Sequence, residues 1–265
     1  MTRTFIGESL VKPNKLTYKT NFLTKVILRL DFAPVAALQA ERETRFTDEV
    51  KGRFPHLSSA QTSQLQITAG PTGSAFEQKL GSWVWTHHTE NKQRSLALSA
   101  DSLVVDYGPK EFSSNDEFLE TCDFAIGAFQ RHFEVPEISR LGMRFIDEID
   151  LRTGTALNWE GIVNSNLVLS VKAGLRDGVS LSRSMHQMIT SRDDISMIFN
   201  YGMHNPDFPS PIARRVFVLD YDAYYVGSIV AGEVTQRLRP LLKECNDMFE
   251  FSIEDGLRRI MDDHQ

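Results

Sequence analysis

"VVDY" at 104–107 and "VLDY" at 218–221 are nearly the same four residues, 114 positions apart in a chain of 265. Four letters recur by chance, so the echo carries weight only if its surroundings recur too. They do. Arg29 in "VILRLDF" and Arg144 in "LGMRFID" stand 115 apart, and two long helical stretches begin near residues 116 and 231. A common offset over such a distance marks internal repetition.

Working outward, residues 24–32 alternate apolar and polar, with Val26, Leu28, Leu30 and Phe32 on one face, as a half-buried strand does. Phe46, Val50 and Phe54 recur every four residues, a helical face closed by Pro55. Strand-like runs follow at 64–69, 82–89, 95–100 and 102–108, with a "GPTGS" loop at 70–74. A helix over 114–134 carries the stripe Phe118, Cys122, Ile126, Phe129 and Phe133, and Ser114 with Glu117 forms a capping box. The second half restarts with a strand at 140–150, its apolar face made by Leu141, Met143, Phe145 and Ile149. A short helix at 158–163 is predicted next, then strands at 166–174, 183–191, 194–203 and 214–222. A helix through Val234, Leu238, Leu242, Cys245 and Phe249 follows, kinked or broken at Pro240, and a last one starts at Ser252 with Asp255 as its capping pair.

The predicted fold is α+β. Two repeated strand–helix–four-strand–helix units form one curved antiparallel sheet, about ten strands wide, with helices on one face. Residues 1–22 form an N-terminal extension, 23–134 the first unit, and 139–265 the second with its short C-terminal helix. This arrangement resembles the TATA-box-binding protein in topology alone.

"RLGMRFIDEIDL", then "FVLDYD", then "FEFSIEDGLRRIM" together resemble a sporadically distributed family of uncharacterised prokaryotic proteins. Members of that family show an RLGxRYIN-like strand, an LDxD-like strand and a late Phe before a Thr-capped terminal helix. Here Phe145 replaces the usual Tyr, Asp147 the usual Asn and Ser252 the usual Thr. The resemblance covers about residues 20–262. Its patchy occurrence implies an accessory gene, of defence or mobile islands.

The net charge of −6 argues against a chain built to grip a phosphate backbone, and generic duplex DNA is not an expected partner. No apolar run is long enough for a membrane span, and the N-terminus lacks the apolar segment of a signal peptide. Cys122 and Cys245 lie far apart without metal-type spacing, which suits a reducing cytoplasm. Nucleotide-loop, zinc-protease, paired-cysteine and nucleophile-elbow motifs are all missing, so no cofactor, metal or catalytic residue is assigned. His87 and His88 are adjacent strand residues that point to opposite faces and cannot easily chelate one ion.

Seven residues are candidates for binding. Asp220 and Asp222 share a strand face, and Asp106 is the counterpart of Asp220. Such carboxylates can hold Mg²⁺ or pair with arginines. Parity sets Arg29 and Arg144 opposite the apolar faces of their strands, which predicts pairs Arg144–Asp220 and Arg29–Asp106 on the sheet face away from the helices. Trp83 and Trp85 share a strand face with His87, as a stacking platform or as core beneath a helix. The favoured function is a non-catalytic interaction module whose uncovered sheet face or edge engages a protein partner; assembly of identical copies is compatible with it. The alternatives are a nucleic-acid or nucleotide binder and a carboxylate-dependent metal enzyme.

Overall fold

A computed structural model describes residues 18–40, 44–70, 73–175 and 177–262. The expectations for residues 1–17, and for positions 71 and 72 of the 70–74 loop, lie outside them. The chain runs β1 (Leu23–Phe32), α1 (Ala37–Ala40), α2 (Thr44–Val50), β2 (His56–Gly70), β3 (Gly73–His88), β4 (Arg94–Ser99), β5 (Ser102–Tyr107) and α3 (Asn115–His132). It continues as β6 (Glu137–Asp150), α4 (Ser165–Gly174), β7 (Ser184–Arg192), β8 (Ile195–Met203) and β9 (Val216–Val230). Two short 3-10 turns lead into α5 (Leu238–Ser252), and α6 (Asp255–Asp262) follows.

The nine strands of the described residues form one antiparallel sheet in the order β2-β3-β4-β5-β1-β6-β9-β8-β7. Each half lays its last strand beside its first: β5 beside β1, and β9 beside β6. The two first strands join the halves. At their seam Leu28 faces Met143, its own counterpart at the 115-residue offset, while Val26 faces Phe145 and Leu30 faces Leu141. The seam therefore has local two-fold symmetry, as expected of a duplicated unit.

The sheet's alternation decides where the core sits. Val26, Leu28, Leu30, Leu103, Val105, Leu141, Met143 and Leu219 are all buried on the face beneath the helices. Phe129 of α3 lies 4.7 Å from Phe32, and Phe118 stacks edge-on against Tyr107 at 5.2 Å, so α3 packs on β1 and β5. The Ser114 hydroxyl accepts a 3.2 Å bond from the Glu117 amide and starts that helix, as the capping box predicts.

The second half departs from the predicted pattern in four places. Residues 166–174 belong to helix α4 rather than to a strand, so three strands follow β6 in that unit and the sheet has nine. Leu167, Val168 and Val171 bury one helical stripe, and the Asn164 side chain caps it by accepting from the Asn166 amide. Residues 158–163 form a turn rather than a helix. Pro240 is the third residue of α5, within the first turn, where its missing N–H costs nothing, so it neither kinks nor breaks the helix. Finally, the Ser252 hydroxyl donates back to the Met248 carbonyl inside α5 instead of capping α6.

The β7–β8 edge depends on one glycine. Gly202 has φ +146°, and a Cβ there would lie 2.0 Å from the Ser184 carbonyl oxygen of β7. Gly202→Ala is expected to cost at least about 2 kcal/mol, from backbone strain and the displaced carbonyl. Urea unfolding of both proteins measures it; a difference under 0.5 kcal/mol, on the order of a neutral surface change, contradicts it.

Candidate functional site

The face away from the helices carries the predicted charged residues. Arg144 of β6 donates through Nε and Nη2 to the two carboxylate oxygens of Asp220, at 2.7 and 2.8 Å, in a bidentate fork. The Asn200 amide of β8 adds a 3.1 Å bond to the same carboxylate. Arg144's own fork to Asp220 is the main reason its guanidinium holds its proton more tightly than usual. The predicted pair Arg144–Asp220 is therefore present.

Its counterpart is not. Arg29 bonds Asp31 on its own strand at 2.7 Å, and Lys25 takes Asp106 at 2.5 Å. Two physical causes account for this. Asp106 faces Ile27 while Asp220 faces Ile146, four residues beyond Gly142, the counterpart of Ile27. The echoed strands thus sit in shifted registers, and Lys25 stands to Asp106 as Arg144 stands to Asp220. Moreover, position 31 holds an aspartate where its counterpart, position 146, holds an isoleucine. A carboxylate two residues along the same face is at hand for Arg29 and has no equivalent for Arg144.

A third arginine completes the cluster. Arg140 Nη2 lies 2.9 and 2.7 Å from the Asp222 oxygens, and its guanidinium sits 4.8 Å from the Tyr224 ring centre. It reaches Asp222 by lying flat across Gly142, where an added Cβ would come within 2.6 Å of Nη1. Burial pushes the Asp222 carboxyl up, and the charge of Arg140 pulls it back. Together Arg29, Arg140, Arg144, Asp31 and Asp222 line a shallow concavity of about 480 Å³ over the seam of the two halves.

Trp83 and Trp85 are elsewhere. They lie on the helix-covered face, with Trp85 buried in the core and Trp83 half-buried against it. His87, on that same face, contacts the Thr47 hydroxyl at 3.1 Å and meets Phe46 edge-on. The structure thus brings Arg29, Arg144, Asp106, Asp220 and Asp222 onto one surface and leaves the two tryptophans apart from it. Each of Asp106, Asp220 and Asp222 is engaged by a basic side chain. Among the described residues, no group of three His, Cys, Asp or Glu side chains is placed to hold a metal ion.

Sequence reasoning missed Lys25, Arg140 and Asp31, although strand parity marks all three as facing the open side. It also missed Asp147, which falls in step with Leu141, Met143, Phe145 and Ile149 on the covered face. Asp147 is 4% exposed and accepts a 3.0 Å bond from the Tyr221 hydroxyl. Burial raises its carboxyl to about 7, offset in part by that hydrogen bond.

No protein-family model matches the chain, and the curated proteins contain no significant match to its sequence.

Proposed function

We propose that the chain is a non-catalytic interaction module that engages a protein partner through its uncovered sheet face, centred on Arg29, Arg140 and Arg144. The observation that carries this reading is the charge-matched cluster at the seam. Lys25, Arg29, Arg140 and Arg144 face Asp31, Asp106, Asp220 and Asp222. A surface in balance offers no basic stripe to a phosphate backbone. Its arginines remain accessible: the side chains of Arg29 and Arg144 are 52% and 42% exposed. The Arg29–Asp31 pair, with its arginine half exposed, contributes about 0–1 kcal/mol, so a partner's carboxylate can replace Asp31 there at small cost. Arginine held in a fixed fork is also a preferred anchor at protein interfaces.

The resemblance to a sporadically distributed prokaryotic family supports an accessory role, defence included. Two buried free thiols, Cys122 and Cys245, accord with a cytoplasmic setting. No helix among the described residues is long and apolar enough to cross a membrane.

Affinity capture from the native host, followed by mass spectrometry, tests the reading. Arg144→Ala and Arg140→Ala are expected to lose a captured protein while circular dichroism shows the fold retained. Capture of the same proteins by both variants sinks the proposal, as does submicromolar, salt-sensitive binding of duplex DNA in a mobility-shift assay.

A further inference from the structure

The covered face holds a second candidate site. Between the start of α3, strands β6 and β9, and helix α5 lies a cavity of about 120 Å³, partly open to solvent. Phe112, Phe145, Phe249 and Tyr18 supply aromatic walls, and the Asp147 carboxyl reaches into it. An apolar cavity of about 150 Å³ is large enough to admit benzene.

The first half offers a comparison through its matching tyrosine, although the carboxylate there comes from α3 and is not the repeat counterpart of Asp147. In the first half, Tyr107 (the counterpart of Tyr221) donates to the Glu117 carboxylate at 3.0 Å. Arg94 completes that arrangement, with Nη1 2.9 Å from the same Glu117 oxygen and 3.2 Å from the Tyr107 hydroxyl. In the second half, Tyr221 donates to Asp147 Oδ2, and no described basic side chain touches either oxygen. Among the described residues the Tyr221 hydroxyl is the one hydrogen-bond donor to this carboxyl, and Asp147 lines the cavity. The other ionisable groups nearby do not supply a cation. Tyr221 of β9 and Cys245 of α5 are held neutral by burial. Glu250 of α5 is occupied, accepting from Tyr18 at 2.6 Å and from Arg258 of α6 at 3.0 Å.

We infer that this cavity binds a small organic amine, its ammonium group bonded to the Asp147 carboxylate and its apolar body held among the aromatic rings. The ligand's cation takes the part that Arg94 plays beside Glu117. Aromatic faces favour a cation within about 6 Å, and a buried carboxylate gains most from a charged donor. A carboxylic acid of the same shape would meet the Asp147 carboxylate and be repelled. The site is independent of the open-face cluster, because β6 and β9 separate the two.

Calorimetric titration at pH 8 with benzylamine and isoamylamine tests this, with benzyl alcohol as the neutral control. At least one amine is expected to bind at least tenfold more tightly than the alcohol, a preference that Asp147→Asn removes. Both amines stay protonated from pH 5 to 8, so affinity should fall below pH 7 as Asp147 takes up its proton. Carbon-13 NMR of the unmodified protein gives a second reading that needs no variant: the bound amine should lower the Asp147 titration midpoint. The inference is overturned if neither amine binds at millimolar concentration, if the alcohol binds equally well, or if Asp147→Asn binds as the parent does.

Discussion

Replacing Asp147 with asparagine is expected to raise the melting temperature above pH 7 and to leave it nearly unchanged at pH 4. Burial raises this carboxyl from the ordinary 3.8 to about 7, so the folded state binds its proton more tightly than the unfolded chain does. Such a group favours folding most when protonated. Its contribution declines as the pH climbs from about 4 to 7 and stays lost above that. Each unit of difference corresponds to 1.36 kcal/mol, so roughly three units place the buried charge about 4 kcal/mol above its neutral form. Asparagine has nearly the same shape, can accept from the Tyr221 hydroxyl and carries no charge. The variant should therefore match the parent in acid and gain about 2–4 kcal/mol at pH 8. Thermal unfolding of both proteins between pH 4 and 8 shows it. A gap that is constant across this range would mean that Asp147 ionises normally.

Trp159→Ala is expected to produce the largest loss of stability, about 3–5 kcal/mol or roughly 10 °C. Trp159 is 2% exposed in the connection between β6 and α4, with its ring centre 5.2 Å from that of Phe217. The Arg215 guanidinium lies over the ring, 5.1 Å from its centre, while donating to the Asn158 and Thr153 carbonyls at 2.8 and 2.9 Å. One indole thus fixes both a long connection and the arginine that closes it. Truncation leaves a hole that this framework of backbone bonds cannot easily collapse into. Denaturant unfolding decides the matter: a loss below about 1 kcal/mol would place the connection outside the cooperative core.

Alternation was the legible part of the sequence. It placed β1, β5, β6 and β9, put Arg144 and Asp220 on one face, and kept Trp85 in register with His87. Where it failed, a second periodicity or a register was needed. Residues 166–174 are rich in valine and leucine and read as a strand, yet Leu167, Val168 and Val171 follow a helical stripe behind an Asn164 cap. Short apolar runs suit either structure, and only the neighbours choose. The Arg29–Asp106 pairing failed for a related reason. Parity tells which face a residue takes but not which residue it meets, and the two halves slide differently along their strands. Asp147 was legible in principle, since a carboxylate in step with four apolar residues already signals a special environment.

The symmetry of the β1–β6 seam has a historical consequence. A strand contact in which Leu28 meets its own counterpart is isologous: one surface supplies both sides of it. A single ancestral unit would have carried everything required to build this sheet as a homodimer, each copy lending its first strand to the other. Fusion of two such copies removes the requirement that both sides stay identical. Position 31 could then keep a carboxylate while position 146 became apolar, and one wing could lose a strand while the other kept it. Asymmetry of charge across the seam is thus what a tandem gene permits and a homodimer forbids.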